Sequence, residues 1–492
     1  MANGSRVTWP WEKGDARAER GRDCRSRVDD TKRKELIHVR KTLLRRSALL
    51  LSGLGIVATP MLASVTAAHA ALPAGQVAVA FAGSDTTDVM IGQMTTNGLG
   101  DLDGRSLTVN GSPTTVRTYN IPAFSSSTFA VPGDAECQDT SWVKDPAAPT
   151  GNTSLATGAR GLSPFGSTAG RNYLATEDAG TGPNQYLTGT PSAIGTDFGC
   201  IDIARSSGAP RAAGAGDKAT FEYYAFAVDG VSWASTSLRA PSTMTTAQLQ
   251  SVYIQCTTTN WDQLPGGTTG NIHRYFPQAG SGTRSFAVSD LLAGGTPGTT
   301  GTCAGNPLTL VEENNGNAVA AADKGDAILI YSGAVWTFQA GQSLNRSLDK
   351  RNGSQIGGIT TAASTPVKGN VEFWSSADAA FELDPSVVNE TNVLQENPGQ
   401  TQATGLYPGI RYVYNVLDSK NTTQGYQAAK QLVGFTNAAG GAKGVLCDAT
   451  ASGAGATEFG LIISNGFVPL PATANATTNK AGSTCRFFAG VN

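Results

Sequence analysis

The stretch VAVAFAGSDTTDVMIGQM, residues 77–94, decides the fold class. Its first seven residues are almost wholly apolar and end in Gly83, the pattern of a strand buried on both faces of a parallel sheet. Ser84, Asp85, Thr86 and Thr87 follow, residue types that open helices. Val89, Met90 and Met94 then form an apolar stripe. Strand, polar turn and helix in succession make an α/β unit. The unit puts Ser84, Asp85, Thr86 and Thr87 at the carboxyl end of a strand, where ligands bind in open α/β sheets.

The same arrangement recurs along the chain. GLSPFGSTAGRNYLA (161–175) sets a turn containing Ser167 before a helical run. CIDIARSSGAPR (200–211) is a short strand, residues 201–204, running into Ser206 and Ser207. NIHRYFPQAGSGTRSFAVSDLL (271–292) is strand, turn and helix, the helix starting near Ser281 with Val288, Leu291 and Leu292 on its inner face. FEYYAFAVDGVSW (221–233), AILIYSG (327–333) and GLYPGIRYVYNVL (405–417) read as strands, and YQAAKQLVGFT (426–436) as a helix. In TTAQLQSVYIQC (245–256), Thr245 and Gln248 have capping-box spacing ahead of a Leu249, Val252, Tyr253 stripe. Residues 98–160 read as turns and an irregular excursion, and residues 341–405 as a poorly periodic insertion. Two central strands, near 221–230 and 406–417, bracket the middle of the chain, so the chain crosses to a second lobe and returns. The expectation is a two-lobe α/β fold with parallel or mixed sheets and a hinge. Residues 71–222 plus 411–492 form lobe I and residues 223–410 lobe II.

Residues 1–70 read as targeting rather than fold. Lys41, Arg45 and Arg46 form a basic region, residues 48–62 are apolar, and AAHA ends at Ala70, the pattern of a secretory signal cleaved there. The arginine pair leaves Sec and twin-arginine export both open. A start at Val39 would give a signal of ordinary length. Pro60 interrupts the apolar run, which argues against a membrane span, and no Cys stands at the cleavage site to form a lipobox. The expected location is extracellular. The segment carries 14 Lys and Arg against 7 Asp and Glu, so its removal leaves 22 basic and 31 acidic residues and a net charge of about −9. That balance excludes general nucleic-acid binding.

Six of the seven cysteines follow residue 70: Cys137, Cys200, Cys256, Cys303, Cys447 and Cys485. An even count in an exported chain reads as disulfides, with 15 possible connectivities. Sequential pairing keeps each bridge within one lobe. No Cys or His spacing suits a metal, and no cofactor is expected. His273 is the one histidine after residue 70, and no GxSxG elbow is present, so a Ser-His-Asp hydrolase is disfavoured. Trp233, Trp261 and Trp336 read as core, and GDLDGRS (100–106) as a turn, because it lacks the later carboxylates of a calcium loop.

The four turns share one chemistry. Backbone N–H groups where a helix begins favour anions. Glycine allows close backbone approach, and Ser and Thr hydroxyls add donors without net charge. GSDTT, FGSTAG, ARSSG and GSGTR together can surround one tetrahedral oxyanion.

In this order the motifs resemble the phosphate-binding proteins of ABC-type phosphate transporters, within the type II periplasmic-binding-protein superfamily. AGSDTTDV, FGSTAGR, DIARSSGAP, MTTAQLQSVYIQCTTTNWDQL, RYFPQAGSGTRSFAVSDL and ENNGNAVAAADKGDAILIYSG resemble six family segments, the last a helix followed by a strand. The resemblance implies a monomeric solute-binding protein that catalyses no reaction and delivers phosphate or a similar oxyanion to an ABC permease. It implies a cleft lined by Thr86, Thr87, Ser167, Ser206, Ser281, Gly282 and Thr283; Ser84, Asp85, Ser207 and Arg284 complete the expected ligand set. Two departures stand out. Pro277 occupies the position of the family's arginine, leaving Arg284, Arg274 or Arg171 to supply the charge. Ser207 replaces the aspartate that accepts the ligand's proton, leaving Asp85 or Asp202. A secreted oxyanion scavenger without a transporter is the alternative function, and a hydrolase using a cleft serine a more distant one.

Overall fold

The computed structural model describes residues 72–95, 99–121, 129–130, 141–143, 161–162, 164, 166–177, 201–210, 217–342, 347–360, 409–421, 423–435, 442–472 and 482–490. Nine strands carry the fold. They are β1 (Gln76–Gly83), β2 (Ser106–Val109), β3 (Ser112–Asn120), β4 (Ile203–Ser206), β5 (Phe221–Ser235), β6 (His273–Pro277), β7 (Leu308–Val311), β8 (Ala327–Ser332) and β9 (Ile410–Asp418). They follow one another across a mixed sheet in the order β7-β6-β8-β5-β9-β4-β1-β3-β2. Parallel pairs (β1 with β3 and β4; β6 with β7 and β8) flank antiparallel ones at the centre. The fold class is α/β, as the alternating pattern requires.

The long strand β5 belongs to both halves of the sheet. Its residues from Phe221 to Gly230 pair with β9, and its residues from Val231 to Ser235 pair with β8. One arm therefore holds β1–β4, β9 and the first part of β5; the other holds β6–β8 and the last part. The short strands Val468–Pro469 and Arg486–Ala489 add to the first part of β5, and Gln355–Ile356 to the last. β1, β4, β8 and β9 are buried along almost their whole length because helices cover the sheet. These helices are α1 (Asp88–Met94), α2 (Ser167–Glu177), α3 (Thr246–Tyr253), α4 (Gly282–Phe286), α5 (Gly333–Gly341), α6 (Gln424–Val433) and α7 (Ala456–Ser464). The Thr245–Gln248 capping box is formed in both directions. Trp233, Trp261 and Trp336 are buried in the core. Cys256 is bonded to Cys303 and Cys447 to Cys485. Cys137 and Cys200 lie outside the described residues, as do the basic and apolar segments before residue 72.

Two local readings need correction. Residues 106–120 form a hairpin, β2 and β3, where the composition suggested an irregular excursion. Its turn is Asn110-Gly111, both at positive φ (50° and 79°), the two-residue turn whose twist matches that of the strands. The helix expected from ENNGNAVAAADKG is replaced by two short 3₁₀ turns, Gly316–Ala318 and Ala321–Asp323. Asn314 sits at φ 58° with its side chain accepting from Ser332 N, and Asn315 accepts from Asn317 N. Such side-chain bonds to the backbone compete with helix. In the described part of the stretch read as an insertion, Gly358–Thr360 pairs with Thr243–Thr245.

Candidate functional site

Four strand-end turns meet at the carboxyl ends of β1, β4 and β6 and at the start of α2. Gly83 takes φ 118°, and a side chain there would collide with the Arg205 carbonyl, 2.6 Å from an added Cβ. This close approach lets Ser84 N donate to Arg205 O (3.0 Å) and Gly166 N to Gly83 O (3.1 Å). Three hydroxyls then converge. Ser84 Oγ donates to Ser207 Oγ (3.0 Å), Ser207 N donates to Ser167 Oγ (2.8 Å), and the Ser167 and Ser207 hydroxyls lie 3.2 Å apart. The fourth turn comes from the other arm. Thr168 N donates to Gly280 O (3.0 Å), and a Cβ on Gly282 would lie 2.3 Å from Ser167 Oγ and 2.5 Å from Ser207 Oγ. Glycine at 282 is thus what lets the second arm seat on the first.

The charges at the centre are Arg411, Asp229 and Glu313. Arg411 and Asp229 are wholly buried, on β9 and on β5 where β5 passes between arms. Asp229 Oδ2 accepts from Arg411 Nε (3.0 Å) and Nη2 (2.8 Å), while its Oδ1 accepts from Ser332 Oγ (2.8 Å) and Ala334 N (3.1 Å). A buried pair with every acceptor filled is the arrangement that tolerates loss of water. Arg411 also donates to Ser207 O (3.0 Å) and, across the arms, to Thr283 Oγ1 (2.9 Å), which lies 3.2 Å from Thr86 Oγ1.

Glu313 follows β7 and is 2% exposed. Its Oε1 accepts from Thr86 N (3.2 Å) and Thr86 Oγ1 (2.8 Å), and its Oε2 from Thr283 N (3.2 Å) and from Ser281 Oγ. Burial alone would raise its pKa, but hydrogen bonds and the Arg411 charge hold it below the ordinary glutamate range. Asp85 moves the other way. Its carboxyl oxygens are buried, and burial, with the charge of Glu313 next, pushes its pKa well above the usual value. The pair divides into one neutral acid and one carboxylate, as crowded carboxyls do. A cleft of about 110 Å³ opens beside them, with Glu312, Asn314, Phe338 and Lys350 in its wall.

The structure brings together Ser84, Asp85, Thr86, Ser167, Ser207, Ser281, Gly282 and Thr283. It leaves others aside. Ser206 Oγ donates within its own turn, to Gly208 O. Thr87 is buried at the start of α1, its hydroxyl without a hydrogen-bond partner. Arg284 donates to Pro277 O and lies over Phe276. Arg171 is bound to Ala209 O and paired with Asp217, and Arg274 binds the carbonyls of Asn306, Tyr253 and Gly298. Asp202 accepts from Ala80 N under β1. Arg411 and Glu313 were missed. One signal existed: Arg411 is the one charged residue in the body of a strand whose other residues, Asn415 and the terminal Asp418 apart, are apolar or aromatic. Among the described residues no cluster of His, Cys, Asp and Glu is arranged to hold a metal, and no helix is long and apolar enough to cross a membrane.

A sequence profile described as the PBP superfamily domain matches residues 150–438. No curated protein matches the sequence. Among solved structures, an ABC-type phosphate transport receptor from Vibrio cholerae is 13% identical, with 80% of this chain and all of that one covered at a TM-score of 0.36. PstS from Borrelia burgdorferi is 12% identical, with 80% and 98% covered and a TM-score of 0.33. The high-affinity periplasmic phosphate-binding protein PfluDING is 14% identical, with 80% and 91% covered and a TM-score of 0.39.

Proposed function

Since the chain belongs to the PBP superfamily, a family of binding proteins, we propose that it is an exported solute-binding protein. It closes its two arms on a small oxyanion, phosphate first among them, and delivers it to an ABC-type permease without catalysing a reaction. One observation carries this reading: hydroxyls and backbone N–H groups from both arms converge on one buried point and there hold a carboxylate, Glu313. Donors that bind one oxyanion in a dry, preformed setting suit another of similar charge. Arg411, its charge balanced by Asp229, adds a donor without adding net charge to the site. His273 stands beside Asp323, with its Nδ1 3.4 Å from the carboxylate.

The test is calorimetric titration, with melting curves alongside, using phosphate, sulfate, molybdate and an organic phosphate. A ligand that binds only the folded chain raises its melting temperature. Thr86→Val and Thr283→Val each remove one hydroxyl at nearly constant shape. Each is expected to weaken phosphate binding by about tenfold or more, equivalent to ~1.4 kcal/mol, with the fold retained, when measured in the Glu313→Ala background, where no carboxylate of the chain shares the hydroxyls. A chain that answers to none of these ions, with Glu313 intact or replaced by alanine, is not an oxyanion carrier.

A further inference from the structure

The donors assigned to the ligand already serve an anion that belongs to the chain. Glu313 comes from the second arm, yet two of the groups that donate to it, Thr86 N and Thr86 Oγ1, come from the first. The other two, Ser281 Oγ and Thr283 N, come from its own arm. The carboxylate thus bridges the arms as a cargo anion would. Among the described residues it has no Lys, Arg or His within ion-pair distance; the groups that touch it are neutral donors, Arg411 acting on it from farther off, and neutral donors exchange readily for water or another anion.

We propose that Glu313 is a resident anion, which fills the oxyanion subsite when no solute is present and must be displaced for a solute to bind. The proposal rests on the reading of this cleft as an oxyanion site. Two oxygens of a carboxylate span nearly the same edge as two oxygens of a tetrahedral oxyanion, so one set of donors accepts either. Both cannot occupy it together. Two negative charges a few ångströms apart in a poorly screened interior repel strongly, and the donors number enough for one. Displacement also has somewhere to go. The cleft beside Glu313 is lined by Lys350, whose ammonium lies 3.1 Å from Glu312, and by Asn314, whose buried Nδ2 has no hydrogen-bond partner. Either offers the displaced carboxylate a donor. Affinity for the solute is then an exchange constant, and the arms stay shut on their own side chain when unloaded.

The experiment compares the full chain with Glu313→Ala and Glu313→Asp, titrating phosphate and, separately, acetate. If Glu313 is the resident anion, Glu313→Ala binds phosphate at least tenfold more tightly than the parent chain. Glu313→Asp, whose carboxylate is drawn back by one methylene, falls between them. Millimolar acetate raises the melting temperature of Glu313→Ala and leaves the parent unmoved, because acetate replaces the missing carboxylate. Should Glu313→Ala fail to fold, the aspartate variant decides by the same ordering. Phosphate affinity that is equal in the three proteins, or weaker in the variants, overturns the resident anion while leaving the oxyanion reading standing. Acetate stabilising Glu313→Ala while phosphate, sulfate and molybdate bind none of the three overturns the oxyanion reading and keeps the carboxylate subsite. Silence from every ion sinks both.

Discussion

Arg411 and Asp85 show how far single residues set the site. Arg411 sits in a strand where each neighbour is buried, and its guanidinium is tolerable only because Asp229 and two further acceptors use its donors. Nothing in the spacing of the sequence says which of the arginines will be so placed. Arg171, Arg274 and Arg284 lie in or beside more suggestive motifs, yet Arg171 is spent on Asp217 and Ala209 O and the other two on backbone carbonyls. Asp85 heads the first motif and was legible as a turn residue. Its neutral state was not legible, because that depends on Glu313, more than two hundred residues later. A carboxyl whose folded-state pKa is raised favours folding fully below its unfolded value, and the contribution is lost as the pH rises through the folded value. Asp85→Asn mimics the neutral acid. The variant should match the parent chain near pH 4 and exceed its stability at pH 8, by about 1 kcal/mol or more. Urea unfolding at the two pH values measures it; equal gains at both would show that charge is not the cause.

At the scale of elements, strands and caps were readable because their signals are local. The VAVAFAG run, the aromatic β5 and the Thr245–Gln248 box need only near neighbours to be recognised, and they stand where the pattern put them. The β2–β3 hairpin was obscured by surrounding Gly, Pro and Ser, although Asn110-Gly111 carried a specific turn signal. The 3₁₀ turns after Glu313 replace a helix because asparagine side chains there bind the backbone. The turn opening α4 is the part of the site most exposed to a change of volume at a glycine between the arms. Ser167 and Ser207 have short side chains fixed by mutual bonds, so they have little room to yield to a Cβ on Gly282. Gly282→Ala should therefore hold the arms slightly apart and cost about tenfold or more in phosphate affinity, equivalent to ~1.4 kcal/mol. Melting should change less than for a core substitution. Calorimetry with unchanged affinity would mean that the arms close without this contact.

For the whole molecule, the two described disulfides staple different parts. Cys256–Cys303 closes a separation of 47 residues in the second arm, and Cys447–Cys485 one of 38 residues in the C-terminal region. Replacing Cys256 and Cys303 together by alanine should cost about 2–4 kcal/mol in denaturant unfolding. Phosphate affinity should be unchanged, since neither cysteine contributes a group to the site. A loss of affinity larger than the loss of stability would tie that corner to the cleft.

The double membership of β5 also fixes an order of assembly. Every described strand of the second arm lies between residues 231 and 360 and can pair as soon as that stretch is available. The first arm has a gap until β9 arrives, because β9 lies between β5 and β4 although it follows β4 by about two hundred residues. A chain delivered from its N-terminus, by synthesis or through a membrane, must keep β1, β3 and β4 waiting beside an open edge. Unpaired edges of this kind recruit other chains. The vulnerable interval in the life of this protein is the time between the appearance of Ser206 and that of Ile410, and whatever shields the β4 edge during it governs how much chain reaches the folded state.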